Sequence, residues 1–257
     1  MLEARDLHLE HRLAGVSCML QRGVITAICG PNGAGKSSLI EALAGLVRVD
    51  KGGVYLNGAS LDGAPDRHKR IGYLPQAAHV AWDVTVRSLV SLGRTPHRDQ
   101  ATAPVDAALA ALDLTELQHR RAQSLSGGEA ARTMLARVLA SEPEWILADE
   151  PLAALDLAHQ MAVMQHLRRC ANDGKGVVVV LHDLAMAMNY ADRVLVLRDG
   201  VLMCDAAPEI ALDVEMIEQV WGVQVLWLGR SGSRALVPKP TVFNPCPEKI
   251  SKIAGST

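Results

Sequence analysis

Apolar positions along the chain follow two different periods. Short, nearly continuous apolar runs occur at Val24–Cys29, Val54–Asn57, Arg70–Leu74, Trp145–Ala148, Gly176–Leu181 and Arg193–Leu197, and predict strands. Helical spacing occupies Lys36–Val47, 156–172 and 183–190 between them. Strand and helix in this alternation describe an α/β fold with a mainly parallel sheet and right-handed crossovers. One section breaks the alternation. From about 83 to 140 the chain is rich in Ala and Leu and lacks a strand pattern, which predicts a helical insertion. After residue 200 the pattern gives a hairpin-like piece, a short helix near 213–220 and two short strands. Phe243–Thr257, with Pro245 and Pro247, reads as a frayed end.

Composition narrows the picture further. A length of 257 residues with 49% apolar and 21% charged residues supports one sizeable core. Net charge is −2 and no basic run is present, so a nucleic-acid partner is not expected. The strongest apolar run, Val177–Leu181, falls far short of the roughly 20 residues that a membrane helix needs. The N-terminus has no apolar signal region, and the chain is expected to be cytoplasmic. Cys18, Cys29, Cys170, Cys204 and Cys246 are scattered without a Cys-x-x-Cys pair, and read as free thiols in a reducing compartment.

The sequence Gly30-Pro31-Asn32-Gly33-Ala34-Gly35-Lys36-Ser37, followed by Ser38, fits a P-loop between a strand and a helix. Glycines let backbone N–H groups and a helix N-terminus face phosphate oxygens. Lys36 would reach the β- and γ-phosphates of a nucleotide, and the Ser37 hydroxyl would ligate Mg²⁺. Trp145-Ile-Leu-Ala-Asp149-Glu150 ends an apolar strand in two carboxylates: Asp149 suits the metal ion, and Glu150 suits a general base that polarises water. Taken alone, such a pair would be a solvated loop or a helix cap. His182 also follows a buried strand and suits a γ-phosphate contact, although a lone histidine is more often structural. Parallel sheets bind ligands at the carboxyl ends of their strands, so these groups could share one edge.

Leu125-Ser126-Gly127-Gly128-Glu129 changes the class of the argument, because it resembles the signature of ATP-binding-cassette (ABC) proteins. Gln76, after Tyr73-Leu-Pro75, resembles the family's Q-loop glutamine, Ala154-Leu155-Asp156 its D-loop, and His182 its switch histidine. The resemblance runs from about residue 2 to residue 228. It implies a P-loop NTPase-type (RecA-like) α/β core with an N-terminal antiparallel β portion. In this reading 1–76 and 141–228 form the core, 77–140 the helical subdomain and 229–257 a tail, all within one nucleotide-binding domain. It also implies ATP and Mg²⁺ as ligands, with Ser37, Gln76 and Asp149 at the metal and Glu150, His182 and Gln76 at the reacting phosphate. A head-to-tail dimer with a second copy would bring Ser126, Gly127, Gly128 and Asp156 to the partner's nucleotide. Ser-Gly-Gly before a helix offers bare N–H groups that suit this role, and alone would be an ordinary helix cap. The family's adenine-stacking aromatic is missing from the short loop Glu10–Gly15. His11 or Arg12 could stack instead, or both could be solvated.

Leu92-Gly-Arg-Thr-Pro-His97 and the stretch from Pro208 through Val225 resemble the cassettes of importers for iron chelates, haem and cobalamin. The resemblance implies polytopic membrane permease subunits as partners, a periplasmic substrate-binding protein acting indirectly, and a place on the cytoplasmic face of the cell membrane. Gln76 to Val86 would line the groove for the permease, with Trp82 either an exposed anchor or plain core packing. A soluble ATPase assisting iron–sulfur cluster assembly is the alternative. DNA-repair and chromosome ATPases of this type need long coiled coils, and no sustained heptads occur here.

Overall fold

A computed structural model describes residues 1–76, 83–153 and 155–239. Trp82, Ala154 and the 243–257 segment singled out above lie outside the described residues. The chain opens with a hairpin of β1 (Leu2–Leu9) and β2 (Leu13–Leu20), then β3 (Ile25–Cys29) and α1 (Lys36–Leu43). Next come β4 (Lys51–Leu56), β5 (Ala59–Ser60), α2 (Arg67–Arg70) and β6 (Ile71–Leu74). The insertion holds α3 (Val86–Ser91), a 3₁₀ segment (Leu92–His97), α4 (Ala103–Ala111) and α5 (Gly127–Ala140). The core resumes with β7 (Trp145–Asp149), α6 (Leu157–Asn172), β8 (Gly176–Val180), α7 (Leu184–Tyr190), β9 (Arg193–Arg198) and β10 (Val201–Ala206). Last are α8 (Pro208–Ala211), α9 (Val214–Trp221), β11 (Val225–Arg230) and β12 (Ser233–Pro238).

Strands β10-β9-β3-β8-β7-β6 form the main sheet in that order, parallel except for β10. Strands β2-β1-β4-β5 form a separate antiparallel sheet, and β11 pairs with β12. Both faces of the parallel sheet are covered, which is why its strands read as continuous apolar runs. Ile25, Ala27, Ile146, Ala148, Val177 and Val179 point into a core shared with α6, α7 and the helical insertion. Ile28, Trp145, Leu147, Val178 and Val180 point the other way, onto α1 and the N-terminal sheet.

Two differences from the sequence reading have local causes. The helix expected over Lys36–Val47 stops at Leu43, since Gly45 adopts φ +67° and ends the α conformation. β1 escaped the apolar-run reading because it is half-exposed and carries Glu3, Arg5 and Asp6 on its outer positions. The insertion contains no strand among its described residues, as expected.

Within the insertion, the Leu92–His97 run forms a joint between α3 and the end of α5. Arg94 is buried and bonds Asp99, Glu142 and the Ala140 carbonyl, while the His97 ring meets the Ser141 carbonyl at 2.9 Å. A Cβ at Gly93 would lie 2.1 Å from the Arg137 carbonyl, so only glycine permits this approach.

A similar constraint sits in the sheet. Gly176 pairs with the fully buried Trp145, and a Cβ there would lie 2.2 Å from the indole ring. Gly176→Ala should destabilise the fold by about 1–3 kcal/mol through overpacking. Urea unfolding checks this, and an unchanged midpoint would show that the ring has room to move.

Candidate functional site

The loop between β3 and α1 wraps closely because its glycines leave space for other backbone. A Cβ at Gly30 would meet the Leu197 carbonyl at 2.3 Å, and one at Gly35 the Arg12 carbonyl at 2.5 Å. Gly35 also has φ +96°, which a side chain disfavours. Lys36 is buried, and its Nζ donates to the carbonyls of Gly30 and Pro31, both at 2.9 Å. An ammonium has three protons, so one remains for a phosphate oxygen. Burial holds the Lys36 ammonium below its ordinary range, opposed chiefly by the neighbouring Glu150 carboxylate.

The loop opens into a cavity of about 780 Å³. His11, Arg12, Asn32 to Ser38, Gln76, Glu150 and His182 line it, and all of them were singled out from the sequence. Gly30 and Pro31 lie beneath it as the carbonyls that hold Lys36. His11 and Arg12 sit at its mouth, on the β1–β2 turn, with the His11 side chain 90% exposed.

Glu150 and His182 follow β7 and β8, which are neighbours in the sheet, and their side chains meet at 2.5 Å. Glu150 adopts φ +51°, a strained backbone conformation for a residue with a side chain. Asp149, the last residue of β7, is 3% exposed. Its Oδ1 is buried with no hydrogen-bond partner. Burial pushes its carboxyl above the ordinary range, against the Ser37 hydroxyl bonded to it.

A hard divalent cation fits this donor set. It takes oxygen ligands, and it would satisfy the orphaned carboxylate oxygen that the protein leaves unpaired. Asp149 and Ser37 could hold it, with the Gln76 amide on the same cavity.

Other residues singled out stand apart from this cavity. Ser126 is the N-cap of α5: its hydroxyl accepts from the Glu129 amide, and the Glu129 carboxylate accepts from the Ser126 amide at 2.8 Å. The Ser126 N–H is therefore not bare as expected; within the run only Gly127 and Gly128 offer uncommitted first-turn N–H groups. Gly127 borders a second cavity of about 310 Å³, shared with Gln76 and Glu150. Asp156 caps α6, accepting from the His159 amide at 2.9 Å. Gln160 was not singled out, yet its amide donates to the carbonyls of Leu152 and Leu155 and holds the loop after Glu150. A glutamine inside a helix gives no spacing signal for such a role.

A profile of the ABC transporter family matches residues 13–153, more than half of the chain. The chain belongs to the ABC transporter family. Within it this is an ATP-binding, ATP-hydrolysing subunit. It is 42% identical over 255 residues to the hemin import ATP-binding protein HmuV of Nocardia farcinica, covering 92% of this chain and 88% of that one. The petrobactin import ATP-binding protein FpuC of Bacillus anthracis is 35% identical over 224 residues, covering 83% and 82%. Among solved structures, an inward-facing metal-chelate type ABC transporter superposes with a TM-score of 0.79 at 26% identity, covering 93% of this chain and 97% of that chain. A dimeric cassette in a post-hydrolysis state bound to ADP and Pi gives 0.74 at 26% identity, covering 81% and 99%.

The state of Asp149 carries a pH signature. Its folded-state pKa lies above the reference value of 3.8, so the folded protein resists its ionisation. That penalty is absent below 3.8, grows as pH rises through the shifted value, and is constant above it. Asp149→Asn should therefore raise Tm at neutral pH, by roughly 2 °C, with the gain shrinking as pH falls toward the reference value. Thermal scans of the nucleotide-free ABC subunit across pH check this. A gain that does not vary with pH would assign the effect to packing.

Proposed function

We propose that this chain is the MgATP-hydrolysing subunit of an ABC importer that takes up haem or a related iron chelate or cobalamin. The observation that carries the chemistry is the single cavity shared by the P-loop, Gln76, Glu150 and His182. The cargo class rests on the relatives, several of them hemin import proteins.

In this reading the P-loop amides and the remaining Lys36 proton hold the β- and γ-phosphates, and His11 or Arg12 flanks the adenine. Ser37, Asp149 and Gln76 hold Mg²⁺, which neutralises phosphate charge when bound. Glu150 orients and deprotonates the attacking water. Its bond to His182 fixes the carboxylate in the cavity, and His182 contacts the γ-phosphate. A second copy of the chain docks head to tail, bringing Ser126, Gly127, Gly128 and Asp156 to the same nucleotide. The free N–H groups of Gly127 and Gly128 suit a γ-phosphate. ATP favours the closed dimer and hydrolysis releases it, so polytopic permease subunits follow the cassette pair. No helix of the described residues is long and apolar enough to cross a membrane, which agrees with a subunit held at the cytoplasmic face through its permease. A periplasmic binding protein would deliver the cargo on the far side.

Glu150→Gln should keep ATP affinity while lowering turnover at least about 100-fold, the scale of losing a general base. Equilibrium nucleotide titration and steady-state phosphate release together check this. Near-normal turnover would remove Glu150 from that role. The transport reading is tested by gentle solubilisation of the tagged chain from its own cells. A polytopic membrane protein should co-purify in equal amount. Recovery of a soluble scaffold alone would favour iron–sulfur cluster assembly instead.

A further inference from the structure

Glu150 meets the nucleotide cavity on a backbone that does not hold itself in place. Its φ of +51° lies in the left-handed region, which a residue with a side chain leaves unless its surroundings fix it. On one side the fixing is plain, because Asp149 belongs to β7 and pairs with Val180. On the other side the chain turns at once. The Ala153 N–H donates to the Glu150 carbonyl at 3.3 Å, and the Leu155 N–H to the Leu152 carbonyl at 3.1 Å. A 3.3 Å bond is a weak restraint on Glu150. Leu152 and Leu155 are buried, but apolar packing is non-directional and fixes no dihedral angle. Beside this turn lies a separate cavity of about 150 Å³, lined by Glu150, Leu152, Ala153, Gln160 and His182 among others. It is space into which an untethered turn would relax, taking Glu150 with it.

Gln160 supplies the missing tether. It sits one turn into α6, and its own N–H donates to the carbonyl of the N-cap Asp156 at 2.8 Å. Side chains on a helix tilt toward its N-terminus, so Gln160 points back over the turn that precedes α6. Its Nε2 carries two protons and donates to the carbonyls of Leu152 and Leu155, both at 3.2 Å. Both donors are thereby committed to the turn. Gln160 lines the cavity behind Glu150 and not the one that holds the P-loop.

We propose that Gln160 is a positioning residue for ATP hydrolysis: its two hydrogen bonds keep the turn out of the neighbouring cavity and so hold Glu150 at the φ that aims its carboxylate at the nucleotide cavity and at His182. This rests on Glu150 as the general base, the role proposed for it above. Gln160 contacts neither the phosphate cradle nor the reacting water. Its loss is therefore felt in turnover and not in nucleotide binding.

The experiment compares full-length wild type, Gln160→Met, Gln160→Glu, Glu150→Gln and the double variant Glu150→Gln with Gln160→Met. Methionine keeps the length and the packing but has no donor, and an ionised glutamate keeps the shape but has none either. Equilibrium titration should find ATP affinity within about two-fold of wild type in both Gln160 variants, while phosphate release at saturating ATP falls about ten-fold or more, the scale of a displaced catalytic group. In the Glu150→Gln background, adding Gln160→Met should cost nothing further, because a residue that acts through Glu150 has nothing left to position. Should Gln160→Met fail to fold, as a lost ATP affinity would show, the isosteric Gln160→Glu decides. Turnover of the folded Gln160 variants within about two-fold of wild type overturns the inference. So do losses that multiply in the double variant, which assign Gln160 a part independent of Glu150. Both results leave Glu150 as the base. Near-normal turnover of Glu150→Gln removes that base, and the two readings then fall together.

Discussion

Parallel pairing of β3, β8 and β7 is the constraint on which the site depends. Ile28 pairs with Val180, and Val180 with Asp149, so the three strands end level at one edge of the sheet. Three of the groups placed around the phosphates follow within one or two residues of that edge: Gly30 after β3, His182 after β8, Glu150 after β7. A slip of one residue in β7 would exchange its two sets of core side chains and turn Asp149 away from Ser37. The apolar alternation that fills both cores therefore holds the catalytic register as well as the fold. Trp145 and Gly176 reinforce it, since the indole occupies the space that any other residue opposite would need.

Around that edge the protein carries several arrangements that folding alone would not select. Asp149 keeps a buried carboxylate oxygen without a partner, and Glu150 sits at positive φ. Lys36 is desolvated against two carbonyls rather than a carboxylate. Each is unfavourable in isolation and each faces the nucleotide cavity, which is where local violations of packing and pairing rules are expected in a working site. The compensation lies in the well-packed strands behind them. By contrast the four described cysteines are free; burial pushes the Cys18 and Cys29 thiols up to about 12, which leaves them as inert packing groups.

Much of this was legible in the sequence because the chemistry and the local structure use the same residues. A glycine-rich turn after a β-branched run signals both a chain reversal and a phosphate cradle, whereas Gln76, His11 and Arg12, which also line the nucleotide cavity, were reached only through the family resemblance. What stayed hidden depends on contacts distant in sequence. Gln160 holds the loop after Glu150 through two carbonyls, and nothing in its helical spacing announces it. The Ser126 capping box was visible as Ser-x-x-Glu, but its effect, withdrawing the Ser126 N–H, emerges only when both hydrogen bonds are seen. β1 was obscured by its exposed charges, and α1 ended early at a glycine whose conformation the apolar spacing does not report.

The Leu92–His97 run shows how a motif can matter without touching a ligand. Arg94 and His97 clamp the segment after α3 to the carbonyls at the end of α5, and Gly93 lets the two backbones meet. That joint fixes where α5 ends, and Leu92, Pro96 and Arg137 line one groove beside it. The other end of α5 is fixed by its cap at Ser126. Satisfied hydrogen bonds thus hold both ends of the same helix whose first turn offers the Gly127 and Gly128 N–H groups.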